Sequence, residues 1–192
     1  MSRQNHSGFA RVSFSKPYAD AVAKLRVFCG FLMAAAFVWF SEPTAASLAF
    51  GLPLAAAGLA LRAWAAGHLE KNLSLTDSGP YAHVRNPLYI GTLTVSAGFA
   101  IAARRWELGL LFAAIFLLVY LPVVELEEQH LARLFPEFKE YARRVPRLAP
   151  RISGWGLGAK PFQFSLYRRN REYEALAGFL AGVGVLFWKV IR

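Results

Sequence analysis

Five stretches of the chain are apolar on every side of a helix: residues 25–40, 45–61, 89–103, 108–124 and 176–191. An amphipathic surface helix would show a polar stripe every turn, and these runs show none, so they predict membrane-spanning helices. The third run falls short of the ~20 residues of a full span. Arg104-Arg105-Trp106-Glu107 separates the third run from the fourth, a link so short that the two form an antiparallel hairpin. Pro122, near the end of the fourth run, predicts a kink there. Gly51 with Ala55, and Gly178 with Gly182, place small residues one helical turn apart and predict close helix–helix approach. The first run competes with a signal peptide, since basic residues precede it and Thr44-Ala45-Ala46 follows. The leading region is long for that, and Trp39-Phe40 reads as an interfacial aromatic belt, so the run is taken as a span.

Between the runs lie three polar segments. Residues 1–24 mix Arg3, Arg11, Lys16 and Lys24 with Phe9, Val12, Phe14 and Tyr18, a pattern open to an interfacial arm or to disorder. Residues 62–88 contain two rigid turns, Gly79-Pro80 and Asn86-Pro87, because each proline fixes its own φ and pushes the preceding residue away from helix. Residues 125–173 begin as a helix leaving the membrane, with Leu131, Leu134, Phe135 and Phe138 on one apolar face and Tyr141 extending it. Glu125 and Glu128 share a side of that helix and Glu127 points elsewhere.

Composition agrees with this reading and changes one point of it. Hydrophobic residues make up 56% of the 192 and charged residues 18%, an apolar excess over soluble chains. The expected fold is all-α: a membrane helical bundle of about five spans over residues 25–192, preceded by the arm. The net charge of +10 would suggest nucleic acid in a soluble protein. With the N-terminus inside and five spans, all of the 22 basic residues but Arg104, Arg105, Lys189 and Arg192 fall on the inner side, so the positive-inside rule accounts for the charge. That assignment also puts 62–88 and 125–173 on one face, the cytoplasmic one, where they can share a site. No nucleic-acid partner is expected. Cys29, the one cysteine, sits in an apolar run and reads as a small buried hydrophobe. His6, His68, His83 and His130 lack metal-ligand spacing, and no metal is expected.

Rigid, polar, non-helical backbone is tolerated at the edge of hydrocarbon only where protein or a water-filled cavity shelters it. The stretch 78–91, with a phenol, an imidazole and a guanidinium between its turns, is therefore a candidate pocket wall or an ordinary interhelical loop. The acids at 125–128 are a candidate acceptor for a cationic or hydroxyl-bearing ligand or a solvated helix segment. Taken together the motifs are more specific. Gly79-Pro80-Tyr81-x-x-Val84-Arg85-x-Pro87-x-Tyr89-x-Gly91 is followed by two hydrophobic runs. Then come Glu127-Glu128-x-x-Leu131-x-x-x-Phe135 and Tyr141-x-x-x-Val145-Pro146-x-x-x-Pro150.

This arrangement resembles the isoprenylcysteine carboxyl methyltransferase and phospholipid methyltransferase group of integral membrane methyltransferases, over residues 73–91 and 127–152. The resemblance implies an S-adenosylmethionine site on the cytoplasmic face, built from segments 73–91 and 125–152. Its cofactor-facing residues would be Leu73, Ser74, Leu75, Thr76, Tyr81, Asn86, Pro87, Leu88, Tyr89 and Glu127. Arg85, Glu128 and His83 would support them. Arg85 has two prospective partners, the cofactor carboxylate or the acids Glu127 and Glu128. His83 and Glu128 are the candidate bases should the acceptor be an amine or hydroxyl; a carboxylate or thiolate needs none. The chain departs from the group at Asn86, where a histidine is usual. It departs again at Val123, where the eukaryotic prenylcysteine enzymes carry an arginine, which argues against a prenylcysteine carboxylate as acceptor. The expected activity is methyl transfer to a lipophilic acceptor that arrives from the bilayer.

Three rivals remain. A nicotinamide-dependent membrane sterol-type reductase shares Arg-x-Pro-x-Tyr and a late Val-Pro, but typically carries an Arg-Asp pair and a cysteine where this chain has Glu127-Glu128 and Leu131. A non-catalytic lipid-binding protein could keep the same fold. A transporter is disfavoured because the predicted spans carry no paired intramembrane charge.

Overall fold

The computed structural model describes residues 16–155 and 160–192. The expectation for residues 1–15 of the arm lies outside the described residues; from Lys16 the chain is helical. In order the elements are α1 (Lys16–Phe40), α2 (Ala45–Ala66), a 3₁₀ turn (Gly79–Ala82), α3 (Pro87–Ala103) and α4 (Trp106–Ile115). A π-helical turn (Phe116–Tyr120), α5 (Leu121–Leu134), α6 (Phe138–Arg144), α7 (Phe164–Arg169) and α8 (Tyr173–Ile191) follow. Among the described residues there is no strand. Among the described residues three helices are long and apolar enough to cross a membrane: Ala45–Ala66, Trp106–Leu134 and Tyr173–Ile191. Phe28–Phe40 and Pro87–Ala103 are apolar but shorter.

Local chemistry sets the helix ends. Thr44 opens α2 with a reciprocal cap: its hydroxyl accepts from the Ser47 amide at 3.2 Å, and its own amide donates to Ser47 Oγ at 2.9 Å. Arg104 closes α3 in the left-handed region (φ 55°), which turns the chain into α4 within two residues. Pro122 stands just beyond a local irregularity of the helix. Just upstream the helix widens into a π turn, in which the Leu121 amide donates to Phe116 O five residues back. With that irregularity just ahead of Pro122, α4, the π turn and α5 follow one another into the polar segment without a break in the helix.

The central seam is α2 against α3, in contact backbone to backbone. A Cβ on Gly98 would lie 2.4 Å from Ala55 N, and one on Gly58 would lie 2.6 Å from Val95 N. Only small residues permit that approach. Ser47 Oγ also donates across the seam to Ala102 O at 2.8 Å. On α8 the glycines differ: a Cβ on Gly182 would sit 3.0 Å from the Phe99 ring, while one on Gly178 would meet nothing within 4 Å.

The two ends of the bundle differ in character. At one end the short links converge: the Glu42 amide donates to Ala103 O (2.9 Å), and Lys189 Nζ donates to Ser41 O (2.7 Å). At the other end both long polar segments meet. A second small core forms there from Phe138, Tyr141 and Val145, separate from the cluster of Leu48, Ala102, Ala103, Leu108 and Leu186 within the bundle.

Candidate functional site

The segment between α2 and α3 and the segment after α5 are stitched together by main-chain hydrogen bonds. The amide of Arg85 donates to Pro146 O (2.9 Å), that of Arg151 to His83 O (3.0 Å) and that of Trp155 to Ala82 O (2.8 Å). Tyr141, buried on α6, donates its hydroxyl to Tyr81 O at 2.8 Å. The prolines at 80 and 87 leave this stretch extended or turned, so its amides and carbonyls are free to pair with a distant segment rather than with a helix of their own.

Beneath this joint lies a cavity of about 670 Å³, inside the 300–1,000 Å³ range typical of small-molecule sites. Its walls come from the end of α2, the loop 69–76, the 3₁₀ turn, the mouth of α3 and α5. Ser74, Leu75, Thr76, Tyr81, Asn86, Leu88 and Tyr89 line it on one side, and Glu127 and Glu128 on the other. Arg85 also lines it. Leu73 and Pro87 do not: Leu73 is 63% exposed beside the cavity, and Pro87 is buried in the first turn of α3. His83 lies outside the cavity, with Nδ1 2.8 Å from Arg151 O.

Glu128 is the electrostatic hub. One of its carboxylate oxygens accepts from Asn86 Nδ2 (3.0 Å); the other accepts from Arg147 Nε (3.0 Å) and Nη2 (2.7 Å) and faces Arg85 Nη1 at 3.4 Å. Arg147 also donates to Glu125 Oε2 at 2.6 Å. The open choice for Arg85 is thus resolved in this structure toward Glu128, although its buried Nε has no hydrogen-bond partner. Burial lowers the Arg85 pKa, and Glu128 opposes that. For Arg147 burial acts the same way, but the bonds to Glu128 and Glu125 outweigh it and raise the pKa. Burial raises the pKa of Tyr81 and of Tyr141, so both phenols stay protonated. The hydrogen bond from Ser74, aided by Lys160, holds the Glu70 carboxyl below its ordinary value.

Several lining residues were not singled out by sequence reasoning. Arg62 lines the cavity and is locked by Glu172, with Nε to Oε1 at 2.5 Å and Nη2 to Oε2 at 3.0 Å. It also donates to Thr92 Oγ1 and to Leu88 O. The sequence placed Arg62 just beyond the second span; in the structure it sits on α2 itself, and its partner is 110 positions away. A charge at the end of an apolar run was the available signal. Tyr120 also lines the cavity, from the π turn, with its ring edge-to-face to Tyr89 at 6.3 Å. Among the described residues no three His, Cys, Asp or Glu side chains converge as metal ligands.

The donor and acceptor set suits a zwitterionic nucleoside-sized ligand. Carboxylates can accept from hydroxyls or an ammonium, the buried Arg85 Nε–H, which has no hydrogen-bond partner, can donate, and tyrosine faces can meet a cation. Fold and cavity together define a helical protein of the membrane class with a charged cavity at one end of an apolar bundle. The chain belongs to the phospholipid methyltransferase family, whose pattern matches residues 25–137. Two curated relatives are similar to it. The cobalt-zinc-cadmium resistance protein CzcN of Cupriavidus metallidurans is 37% identical over 123 residues, 62% of this chain and 56% of the relative. The nickel-cobalt-cadmium resistance protein NccN of Alcaligenes xylosoxydans xylosoxydans is 33% identical over 117 residues, 60% of this chain and 54% of the relative. The chain thus spans about half the length of the curated relatives it matches. No solved structure matches it.

Proposed function

We propose that this protein is an S-adenosylmethionine-dependent methyltransferase that modifies a lipophilic acceptor at the cytoplasmic membrane surface. The observation that carries the reading is that Tyr89, at the mouth of α3, and Glu127, on α5, line one cavity closed by two segments distant in sequence. Family membership supports it, since members generally use S-adenosylmethionine. When bound, that cofactor supplies an electrophilic methyl group on a sulfonium. The chain's own residues bind and orient. Glu127 would accept hydrogen bonds from ribose hydroxyls or the ammonium, a tyrosine face of Tyr81 or Tyr89 would meet the sulfonium, and backbone groups around Pro80 and Pro87 would bind the adenine edge. The Glu128–Arg147–Arg85–Asn86 network fixes the wall against which these groups are held. Positioning and exclusion of water supply much of the rate in such a transfer.

Neither candidate base is well placed. His83 is directed to Arg151, and both oxygens of Glu128 are engaged. An acceptor that needs no base, a carboxylate or thiolate, suits this site best. The five-span topology, with the charged end of the bundle inside, follows from the basic residues concentrated there. The test is equilibrium binding of labelled S-adenosylmethionine to the purified protein and to Glu127→Ala, followed by incubation with total lipid extract. Binding by the wild type, its loss in the variant and a labelled lipid product are the expected results. Preference for a reduced nicotinamide cofactor, or indifference to Glu127→Ala, would overturn the proposal.

A further inference from the structure

A second cavity, of about 450 Å³, lies within the bundle, between α1, α3, α4 and α8. Among the described residues, none that lines it is charged. Its walls are Met33, Phe37, Phe99, Phe112, Val185 and similar side chains, with Ser96, Cys29 and Tyr120 the exceptions. Among the described residues Tyr120 is the one that lines both cavities. It occupies the last position of the π turn, stacked on Phe116 (6.1 Å, 9°) and edge-on to Tyr89, itself part of the charged cavity. π turns recur at functional sites because they re-aim side chains that a regular helix would point elsewhere.

The geometry points to Tyr120 as the divider between a reaction chamber and a hydrocarbon channel. The channel takes the tail of the methyl acceptor, and Tyr120 sets how far the acceptor's head reaches toward Tyr89. This rests on the methyltransferase reading and goes beyond it by naming where the acceptor lies and which residue selects it. The occupant is argued from continuity and from chemistry. A charged chamber and an apolar cavity of about 450 Å³ that share the Tyr120 wall match a molecule with a polar head and one long apolar chain. A soluble acceptor would gain nothing from the groove.

Two photo-reactive hexadecanoic acids test this on the full-length protein in detergent with S-adenosylmethionine present, one carrying a diazirine near the carboxylate and the other near the chain end. The head-end probe is expected to label peptides containing Tyr89 or Tyr120, and the tail-end probe those containing Met33 or Phe112. Unlabelled hexadecanoic acid should compete and hexanoic acid should not. Narrowing the groove by Ala34→Phe or, independently, Val185→Trp should cut tail-end labelling about tenfold, the equivalent of displacing roughly two buried methylenes. S-adenosylmethionine affinity should stay unchanged in both, which also reports that they fold. Tyr120→Ala should let the head-end probe label deeper into the charged cavity, while tail-end labelling of the Met33 and Phe112 peptides persists. Identical labelling by the two probes, labelling spread over the outer face of α8, or labelling that depends on protein concentration as for a second copy would overturn the inference while leaving the cofactor reading intact. Failure of the wild type to bind S-adenosylmethionine would overturn the function itself, and the acceptor with it.

Discussion

Replacing Glu128 by glutamine should weaken the joint between the two polar segments more than any other single change of one atom type. Glu128 is 7% exposed and holds Arg147 through two bonds, Arg85 through an ion pair and Asn86 through its other oxygen. Glutamine keeps an acceptor for Asn86 but leaves the half-buried Arg85 beside an uncharged amide. Removing one member of a buried ion pair costs ~3–5 kcal/mol. Arg147 retains Glu125 at 2.6 Å, which places the expected loss at the lower end, about 3 kcal/mol. For a chain of this size that corresponds to a fall in Tm of about 6–12 °C. The single cysteine, Cys29 on α1, lets a thiol-reactive fluorophore follow thermal unfolding in detergent. Arg147→Met measured alone and together with Glu128→Gln completes a cycle, and the double variant should lose at least about 1 kcal/mol less than the two single losses combined. A Tm change under about 1 °C, or strict additivity, would refute the assignment of Glu128 as the hub.

Two glycine substitutions should differ in sign. Gly98→Ala drives a methyl into the backbone of α2 and should destabilise by ~1–3 kcal/mol, whereas Gly178→Ala meets nothing and should gain up to about 1 kcal/mol from helix propensity; denaturant titration of each separates them. Tyr141→Phe removes the 2.8 Å bond to Tyr81 O, leaves that carbonyl unpaired and should cost about 1–2 kcal/mol, measured the same way. The pH dependence follows from the same burial. Tyr81 and Tyr141 have raised pKa values when folded, so the folded state keeps protons that the unfolded chain releases near its ordinary value of ~10. Stability should therefore hold below about pH 10 and decline as pH rises beyond it, and absorbance at alkaline pH should show both phenols ionising only on unfolding.

Much of the architecture was written along the chain. Unbroken apolar runs dictate helices because hydrocarbon satisfies no backbone group, and Gly51 with Ala55 marked the close face of α2 before its partner was known. The motifs around Gly79–Gly91 and Glu127–Phe135 marked two distant segments, and residues of both line the cavity. What the sequence left open was every relation between distant positions. The Arg62–Glu172 clamp spans 110 residues with no intervening pattern, and the choice of Arg85 between ligand and Glu128 depends on where α5 ends up. The role of Tyr120 depends on the π turn, whose signal, a lone proline, reads equally well as a kink. Periodicity and hydropathy are properties of neighbours along one helix. Ion pairing and cavity walls are properties of helices brought together, and only the packing of α2, α3 and α5 decides them.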